Sequence, residues 1–299
     1  MKKFLIRVGV FGCAVAIAAA CLAGGAYWML SRASFKLPAG KHILVVGASR
    51  AECAVDDRIF ASAVNVAQSA CPYLYTYGVI RKFLEENEQL DTVIVSFHYS
   101  TLTENIDERW IFRESAMNYK IPLHLSLMDK EDLSLFSHRK LMLIKSVLNL
   151  PYRDVVRFIL RGGKASYREL NIGRYLRLER DKLQEAIARR EETSGERGLS
   201  IFQRDYLQKI AGLCKSRGAE LILMTMPLYK PEVYGEMEKL NAYREAYLPD
   251  AKYMDYSAFP LADSCRGDIQ HLNYKGAAVF SEYLRDHLSR DIALKYGTR

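Results

Sequence analysis

The sequence lacks the short motifs that mark several common kinds of enzyme. It has no HExxH motif or other histidine pair at metal-binding spacing, and its six cysteines form no CxxC or zinc-finger pattern. It has neither the glycine pattern of a phosphate-binding P-loop nor that of a dinucleotide-binding turn. It also contains no internal repeat, low-complexity tract or nucleic-acid-binding motif. We therefore expect no metal, no cofactor and no nucleic-acid partner.

Charge is missing near the N-terminus. No charged residue occurs from Val8 to Leu30, and no acidic residue precedes this apolar run. Its roughly 23 residues are long enough to cross a bilayer core of about 30 Å at 1.5 Å per residue. The basic residues before the run predict a cytoplasmic N-terminus and export of the rest. We expect residues 1–33 to be a cytoplasmic stub and a single-pass signal anchor in the bacterial cytoplasmic membrane, with residues 34–299 on the periplasmic side.

Two other interpretations of this run remain open. Small residues around Ala18–Ala20 are also typical of a cleavage site in a signal peptide. A lipoprotein cut before Cys21 is the second alternative, although an alanine three positions earlier fits that signal poorly. The apolar run continues from Leu22 to Leu30, which favours the uncleaved anchor.

Four cysteines follow the apolar run, at positions 53, 71, 214 and 265. In an exported domain they would meet an oxidising compartment, where disulfides form. Their spacings do not distinguish disulfide pairing from buried thiols.

Apolar runs and helical periodicity predict the fold class. Continuous apolar runs ending in glycine, serine or proline are typical of strands buried on both faces. They occur at His42–Gly47, Asp91–Ser96 and Ala219–Pro227, and a fourth strand is predicted at Lys252–Tyr256. Amphipathic helices are predicted at Tyr73–Asn87, Leu199–Ser216 and from about Asn273 onward. This alternation predicts an α/β domain with a doubly wound parallel sheet.

The middle of the chain, about residues 102–198, has a different pattern. It lacks buried strand signals and predicts a mainly helical insertion, with helical spacing of the apolar residues from Tyr152 to Leu160. Between Arg139 and Arg180 there are eleven lysines and arginines against three acids. This excess is typical of a solvated helical face, and it also suits contact with anionic lipid headgroups or an acidic glycan.

Ser49 directly follows the first predicted strand, in the sequence Gly47-Ala48-Ser49. Ligands of open α/β sheets bind beyond the carboxyl ends of the strands. Small residues at this point allow a tight turn that exposes a hydroxyl. A glycine-x-serine turn after a strand is common, however, so this turn alone does not predict a catalytic serine. It indicates one only together with a second feature.

The second feature is Asp268-x-x-His271, on the loop before the last helix. A carboxylate three residues upstream can accept the Nδ1–H of the imidazole and leave Nε2 to take a proton from a serine. Such pairs also occur as simple helix caps, and Asn273 is a candidate N-cap here. The combination of both features predicts a Ser-His-Asp triad.

These motifs resemble those of the SGNH (GDSL-type) hydrolases, a family of esterases, lipases and carbohydrate acyl hydrolases with a flavodoxin-like sheet. Gly47-Ala-Ser49 is similar to the family's nucleophile block, and Asp268-x-x-His271-Leu-Asn-x-x-Gly276 to its terminal block. Asn65 to Ala70 is similar to the second block, where a glycine amide helps to form the oxyanion hole. The resemblance covers about Lys41–Phe97 and the chain from Leu199 onward.

The resemblance implies that the backbone N–H groups of Ser49 and Ala70 form the oxyanion hole. The chain departs from the family pattern at three places. Ala48 replaces the usual aspartate, Ala70 replaces the glycine, and Ser96-Phe-His98 replaces the third block. His98 stands where an asparagine normally donates to the oxyanion. Arg50 and Asn65 are the candidates for binding substrate.

The resemblance, the anchor and export together imply an extracytoplasmic serine ester hydrolase or O-acyltransferase that acts on glycan or lipid esters of the cell envelope. Membrane-anchored relatives include proteins that O-acetylate exopolysaccharides or move D-alanine onto teichoic acids, which implies a membrane-bound acyl donor as partner. The alternative is a catalytically inactive binding or scaffold protein in envelope polysaccharide modification. The acyl group, its acceptor, and the choice between hydrolysis and transfer are not determined by the sequence.

Overall fold

The buried apolar runs form one sheet of five strands in the computed structural model of the chain. The structure describes residues 1–149, 160, 165–188, 198–230 and 236–296. The strands are β1 (Ile43–Val46), β2 (Ala63–Asn65), β3 (Thr92–Ser96), β4 (Glu220–Thr225) and β5 (Lys252–Asp255). They lie in the order β2-β1-β3-β4-β5 and every neighbouring pair is parallel. The predicted α/β class with a parallel sheet is confirmed, and the short edge strand β2 is an addition.

The helices follow in chain order and include the predicted helical middle segment. They are α1 (Lys2–Ser31), α2 (Ser49–Ala54), α3 (Tyr73–Glu86), α4 (Glu104–Asp107), α5 (Glu114–His124), α6 (Lys130–Ser134), α7 (Lys140–Leu148), α8 (Leu183–Ala188), α9 (Ile201–Ser216), α10 (Glu236–Tyr247) and α11 (Tyr274–Tyr296). Within the described residues, no strand of the sheet lies between β3 and β4, so the mainly helical insertion is confirmed. The spacing noted from residue 152 to 159, and residues 161–164, lie outside the described part.

The chain divides into two compact units. One contains Met1–Ser34 and Phe112–Asn171, and the other contains Phe35–Ile111 and Ile172–Arg299. The second unit holds the whole sheet.

Both faces of the sheet are buried. Successive side chains of a strand point to opposite faces, and all four residues of β1 are at most 1% exposed. Ile43 and Val45 belong to one core cluster with apolar residues of α2 and α11, including Phe280 and Leu284. Helix α3 packs against α9 and β1, and α9 also packs against β4. Burial on both faces explains why β1 reads as an unbroken apolar run.

The first unit consists of α1 and the helices α5 to α7. The helix α1 is long and apolar enough to cross a membrane, with a mean hydropathy of 2.3 over its most apolar window, as an anchor or as a signal sequence. Most of its residues are exposed, but Ala23, Ala26 and Leu30 form a buried stripe near its C-terminal end. There α1 contacts α7 and the short turn at Leu125–Leu127.

All six cysteines lie in described residues, and none of them forms a disulfide. Cys53, Cys71 and Cys214 are buried, which agrees with the interpretation as buried thiols. Burial, followed by the charges of Glu52 and Asp268, raises the pKa of the Cys53 thiol to about 12. Cys53 is therefore a poor nucleophile although it lies four residues after Ser49.

Candidate active site

The turn that presents Ser49 depends on the close approach of β1 to β3. Gly47 has φ +124°, and a Cβ atom added there would lie 2.5 Å from the Cβ of Ser96. Only glycine satisfies both the backbone conformation and this contact. The chain then turns at Ala48 and begins α2 at Ser49. The serine thus lies at the carboxyl edge of the sheet, where the strand order reverses between β1 and β3.

The loop that carries His271 is fixed by its own backbone. Asp268 Oδ1 accepts hydrogen bonds from the N–H groups of Gln270 at 2.8 Å and of His271 at 2.9 Å. At the end of the loop, Asn273 Oδ1 accepts from the N–H groups of Lys275 and Gly276, so its role as N-cap of α11 is confirmed. These bonds hold the loop in one conformation before α11 begins.

Steric crowding explains why position 276, in the terminal block, is a glycine. A Cβ atom added at Gly276 would lie 2.2 Å from the carbonyl oxygen of Cys265. The first turn of α11 can therefore pack against the preceding 3₁₀ turn, Asp263–Cys265, only if residue 276 has no side chain.

The three candidate triad residues meet in a continuous hydrogen-bonded chain. His271 Nε2 lies 2.8 Å from Ser49 Oγ. On the other side of the ring, His271 Nδ1 lies 2.9 Å from both carboxylate oxygens of Asp268. This geometry lets Asp268 orient the imidazole with its proton on Nδ1 and lets Nε2 accept the serine proton.

The Asp268 carboxylate is kept ionised by its surroundings. Burial alone would raise its pKa, but hydrogen bonds from His271 and the Gln270 N–H, with the charges of His271 and Arg180, outweigh burial. Together they hold the pKa of Asp268 well below its ordinary value. Arg180 Nη2 donates a hydrogen bond to Asp268 Oδ2. The carboxylate that supports His271 therefore also carries an ion pair.

Arg180 belongs to an extended strap, residues 172–182, that the sequence did not reveal. Four backbone hydrogen bonds fix the strap: Arg174 N–H to Ala67 O at 3.2 Å, Leu176 N–H to Glu52 O at 2.8 Å, Tyr274 N–H to Leu178 O at 2.8 Å, and Lys182 N–H to Gly267 O at 2.9 Å. These partners lie on the loop after β2, on α2, and on both sides of His271. The strap thus joins the three segments that carry the candidate site. Its only sequence signal was the local excess of basic residues.

The two backbone N–H groups that were predicted to form an oxyanion hole belong to Ser49 and Ala70. The N–H of Ser49 is among the first of α2, and such groups have no acceptor within the helix. Ala70 has φ +53°, a left-handed conformation that explains why glycine suits this position. Both residues line the cavity described below. The preceding Ser69 Oγ donates to the Glu52 carboxylate on α2, which links the loop of Ala70 to the helix of Ser49.

His98 lies in the same cavity as a neutral ring. It follows β3 and is 2% exposed. Burial, then the positive charges of Arg50 and His271, lower its pKa well below the ordinary value. Its Nε2 accepts a long hydrogen bond, 3.5 Å, from the N–H of Met226, which suits the neutral tautomer with its proton on Nδ1. In this tautomer His98 can donate a hydrogen bond from Nδ1.

The two candidate substrate-binding residues have different positions. Arg50 is 7% exposed and lines the cavity next to Ser49. Asn65 is 2% exposed and does not line the cavity. Its Nδ2 donates to Ala51 O at 2.9 Å and Val55 O at 2.7 Å, and its Oδ1 accepts from Ala67 N–H at 3.0 Å. We therefore correct its predicted role, because its hydrogen-bonding groups are used to hold α2 against the loop after β2.

A cavity of about 280 Å³ opens beside Ser49. Its lining residues come from the ends of β1 and β3, the loop before α3, the segment around α4, and the histidine loop: Ala48, Ser49, Arg50, Ala70, Cys71, Pro72, His98, Ser100, Thr101, Asn105, Ile106, Arg109, Trp110 and Gln270. A larger cavity of about 770 Å³ lies at the opposite edge of the sheet, at the amino ends of β4 and β5. It contains none of the triad residues. The smaller cavity is therefore the one suited to a reaction at Ser49.

Within the described ranges, no group of three or more histidine, cysteine, aspartate or glutamate side chains is arranged to share a metal ion. No protein-family model matches the chain, and no curated protein matches it. The geometry of the site is therefore the basis for proposing a function.

Proposed function

We propose that this chain is a serine ester hydrolase or O-acyltransferase of the SGNH type. The observation that carries the proposal is the hydrogen-bonded chain from Asp268 through His271 to Ser49, at the edge of the sheet where the strand order reverses between β1 and β3. The strand order is that of flavodoxin-like, doubly wound sheets, which bind ligands at this switch point. Fold alone does not imply function, so the proposal is based on the site.

The reaction proceeds in two balanced steps. His271 Nε2 takes the proton of Ser49 as Oγ attacks the ester carbonyl, and the imidazolium then returns a proton to the departing alcohol. In the second step His271 deprotonates water or an acceptor hydroxyl, which attacks the acyl-serine, and the imidazolium returns this proton to Ser49 Oγ as the acyl–oxygen bond breaks. Asp268 stabilises the imidazolium in both steps. The N–H groups of Ser49 and Ala70 and the Nδ1–H of His98 are the candidates to stabilise the oxyanion.

The helix α1 supports a membrane location for this chemistry. A cleaved signal peptide has no reason to pack against the mature protein, yet Ala23, Ala26 and Leu30 are buried within the first unit. We therefore propose that α1 is retained as an anchor with the sheet-containing unit on the periplasmic side. Substrates at that location are acylated glycans or lipids of the cell envelope, and a membrane-bound acyl donor is a suitable partner.

Turnover of 4-nitrophenyl acetate by the full-length chain in detergent tests the proposal. We expect Ser49→Ala and His271→Ala to lose about 10³-fold or more in kcat/KM. Ser216→Ala and His287→Ala, which replace the same residue types away from the cavity, should retain turnover. Turnover that survives in Ser49→Ala would contradict the proposal. Adding a sugar acceptor and measuring acetylated sugar separates transfer from hydrolysis.

A further inference from the structure

The cavity beside Ser49 has basic side chains in its wall. Two arginines, Arg50 and Arg109, line it. Among the lining residues that the structure describes, there is no aspartate or glutamate. An ester that reaches Ser49 must therefore enter a space with two guanidinium groups in its wall. This charge favours a substrate that carries an anion.

Arg50 lies deep in this space. It follows Ser49 in the chain and is 7% exposed, and its positive charge contributes to keeping His98 neutral. A charge removed from water is less screened than one on the surface, so an anion that reaches Arg50 gains more from the contact. Arg50 thus places a buried positive charge directly beside the serine that we propose as the nucleophile.

Arg109 lies at the exposed side of the cavity. Its guanidinium is 5.3 Å from the ring centroid of Trp110, which also lines the cavity. Stacking on an aromatic ring restricts the guanidinium without neutralising it. Both residues belong to a π-helical turn, Glu108–Phe112, and such turns frequently occur at functional sites.

The acids nearest to Arg109 in the sequence do not line the cavity. Asp107 is directed to α9, where it accepts hydrogen bonds from Ser200 at 2.5 Å and from Gln203 at 2.7 Å. The Glu104 carboxylate is beside Gly198. Neither of these acids, nor Glu108, lines the cavity.

From these observations we infer that the site selects substrates that carry a carboxylate or phosphate close to the ester. Arg50 and Arg109 bind this anionic group. The inference deepens the proposed function and rests on it. A guanidinium can bind either anion through paired N–H groups, so the shared chemistry is an oxyanion held at the side of the reacting carbonyl.

Tryptophan fluorescence provides a direct binding test, because the chain has only two tryptophans. In a full-length Trp28→Phe background, Trp110 is the only tryptophan, and it lies in the cavity wall. Excitation at the red edge of the absorption band selects it over the tyrosines. Binding of glucuronate, glucose 6-phosphate and glucose is measured at low and high salt. We expect at least one charged sugar to bind about tenfold or more tightly than glucose, and raised salt to narrow the difference. The stronger of the two charged sugars identifies carboxylate or phosphate as the preferred anion.

Variants connect this preference to the two arginines. Arg50→Gln and Arg109→Gln should each lose most of the preference. Asn105→Asp, which adds a carboxylate to the wall without changing its size, should lose it as well. Arg217→Gln, at the opposite edge of the sheet, should keep it. The Asn105 and Arg109 variants alter exposed residues, so they remain informative if Arg50→Gln does not fold.

Reaction of Ser49 with a fluorophosphonate separates the two proposals. Charged sugars that bind no more tightly than glucose, in a protein whose Ser49 still reacts, would overturn the anion site and leave the hydrolase intact. Arginine-dependent binding of a charged sugar, in a protein whose Ser49 does not react, would support the anion site and contradict the hydrolase. A preference that survives in all three wall variants would also overturn the anion site.

Discussion

Arg180 donates a hydrogen bond to Asp268 Oδ2, on the same carboxylate that receives the Nδ1–H of His271. The carboxylate that orients the His271 ring therefore also pairs with a guanidinium. The two residues are 88 positions apart, and the strap of residues 172–182 brings them together. Through this pair, we expect a residue outside the candidate triad to influence the pH range in which Ser49 is activated.

Replacing Arg180 should shift that range upward. In Arg180→Gln the whole charge of Asp268 is available to the imidazolium, so a more alkaline pH is needed to free Nε2 as a base. Because Arg180 is half exposed, we expect a shift of less than about one pH unit in the half-maximal rate of Ser49 acylation. Arg177→Gln, an exposed arginine of the same strap, is the control. An unchanged profile in Arg180→Gln would show that the pair only fixes the strap.

Asp268 should also make stability depend on pH. Its pKa is lower in the folded protein than the unfolded value of about 3.9, so its ionised form is favoured by folding. The resulting stability is fully present above about pH 4 to 5 and is lost as the pH falls through the folded pKa. The stability difference between wild type and Asp268→Asn, measured by urea unfolding, should therefore shrink as the medium is acidified.

The same Asp268→Asn variant should lose about 10³- to 10⁴-fold in acylation rate near neutral pH, since an amide no longer selects the productive tautomer of His271. Acylation rates measured by stopped flow test this. A loss of only a few fold would mean that the backbone of the loop is sufficient to orient the ring.

Gly47→Ala should damage both stability and the site. The new Cβ would collide with Ser96, and the backbone would be held at φ +124°. We expect a loss of about 3 kcal/mol or more in the free energy of unfolding, with loss of Ser49 reactivity. Gly218→Ala is the matched control, because Gly218 has φ +71° but nothing within 4 Å of the added Cβ. It should cost only about 1 kcal/mol in chemical denaturation and leave Ser49 reactive.

Asn65→Ala tests the corrected role of that residue. Removing the amide leaves the buried Ala51 carbonyl and Ala67 N–H without this partner, which should cost about 2 to 4 kcal/mol of stability. We expect kcat for 4-nitrophenyl acetate to fall with little change in KM. A large rise in KM with unchanged stability would restore Asn65 as a substrate contact.

The sequence contained most of the information on the sheet. The strands β1, β3 and β4 are buried along continuous apolar runs, and such runs are visible in one sequence. The strand β5 was also predicted, and it pairs with β4 at the edge of the sheet. The strand β2 was not predicted, because its three residues, Ala63–Asn65, are too few to show the alternation that identifies a strand. Its existence depends on pairing with β1, a contact that only the folded chain provides.

The short-range motifs of the site could also be predicted from the sequence, whereas the contacts between distant segments could not. The glycine-x-serine turn and the aspartate three residues before the histidine are short-range patterns with direct chemical reasons. The pairing of Arg180 with Asp268 joins distant segments, and nothing near Arg180 in the sequence distinguishes it from other arginines of a basic stretch. Asn65 shows the converse error, because a polar residue in a motif-like segment was given a ligand role while its partners are backbone groups nearby.

The most direct test of the account is the reaction of the full-length chain with a fluorophosphonate, followed by mass spectrometric mapping of the adduct. The account predicts one adduct per chain, on Ser49, that disappears in Ser49→Ala and His271→Ala and persists in Ser216→Ala and His287→Ala. A folded wild-type chain that forms no adduct, or an adduct on Ser49 at the same rate in His271→Ala, would contradict it.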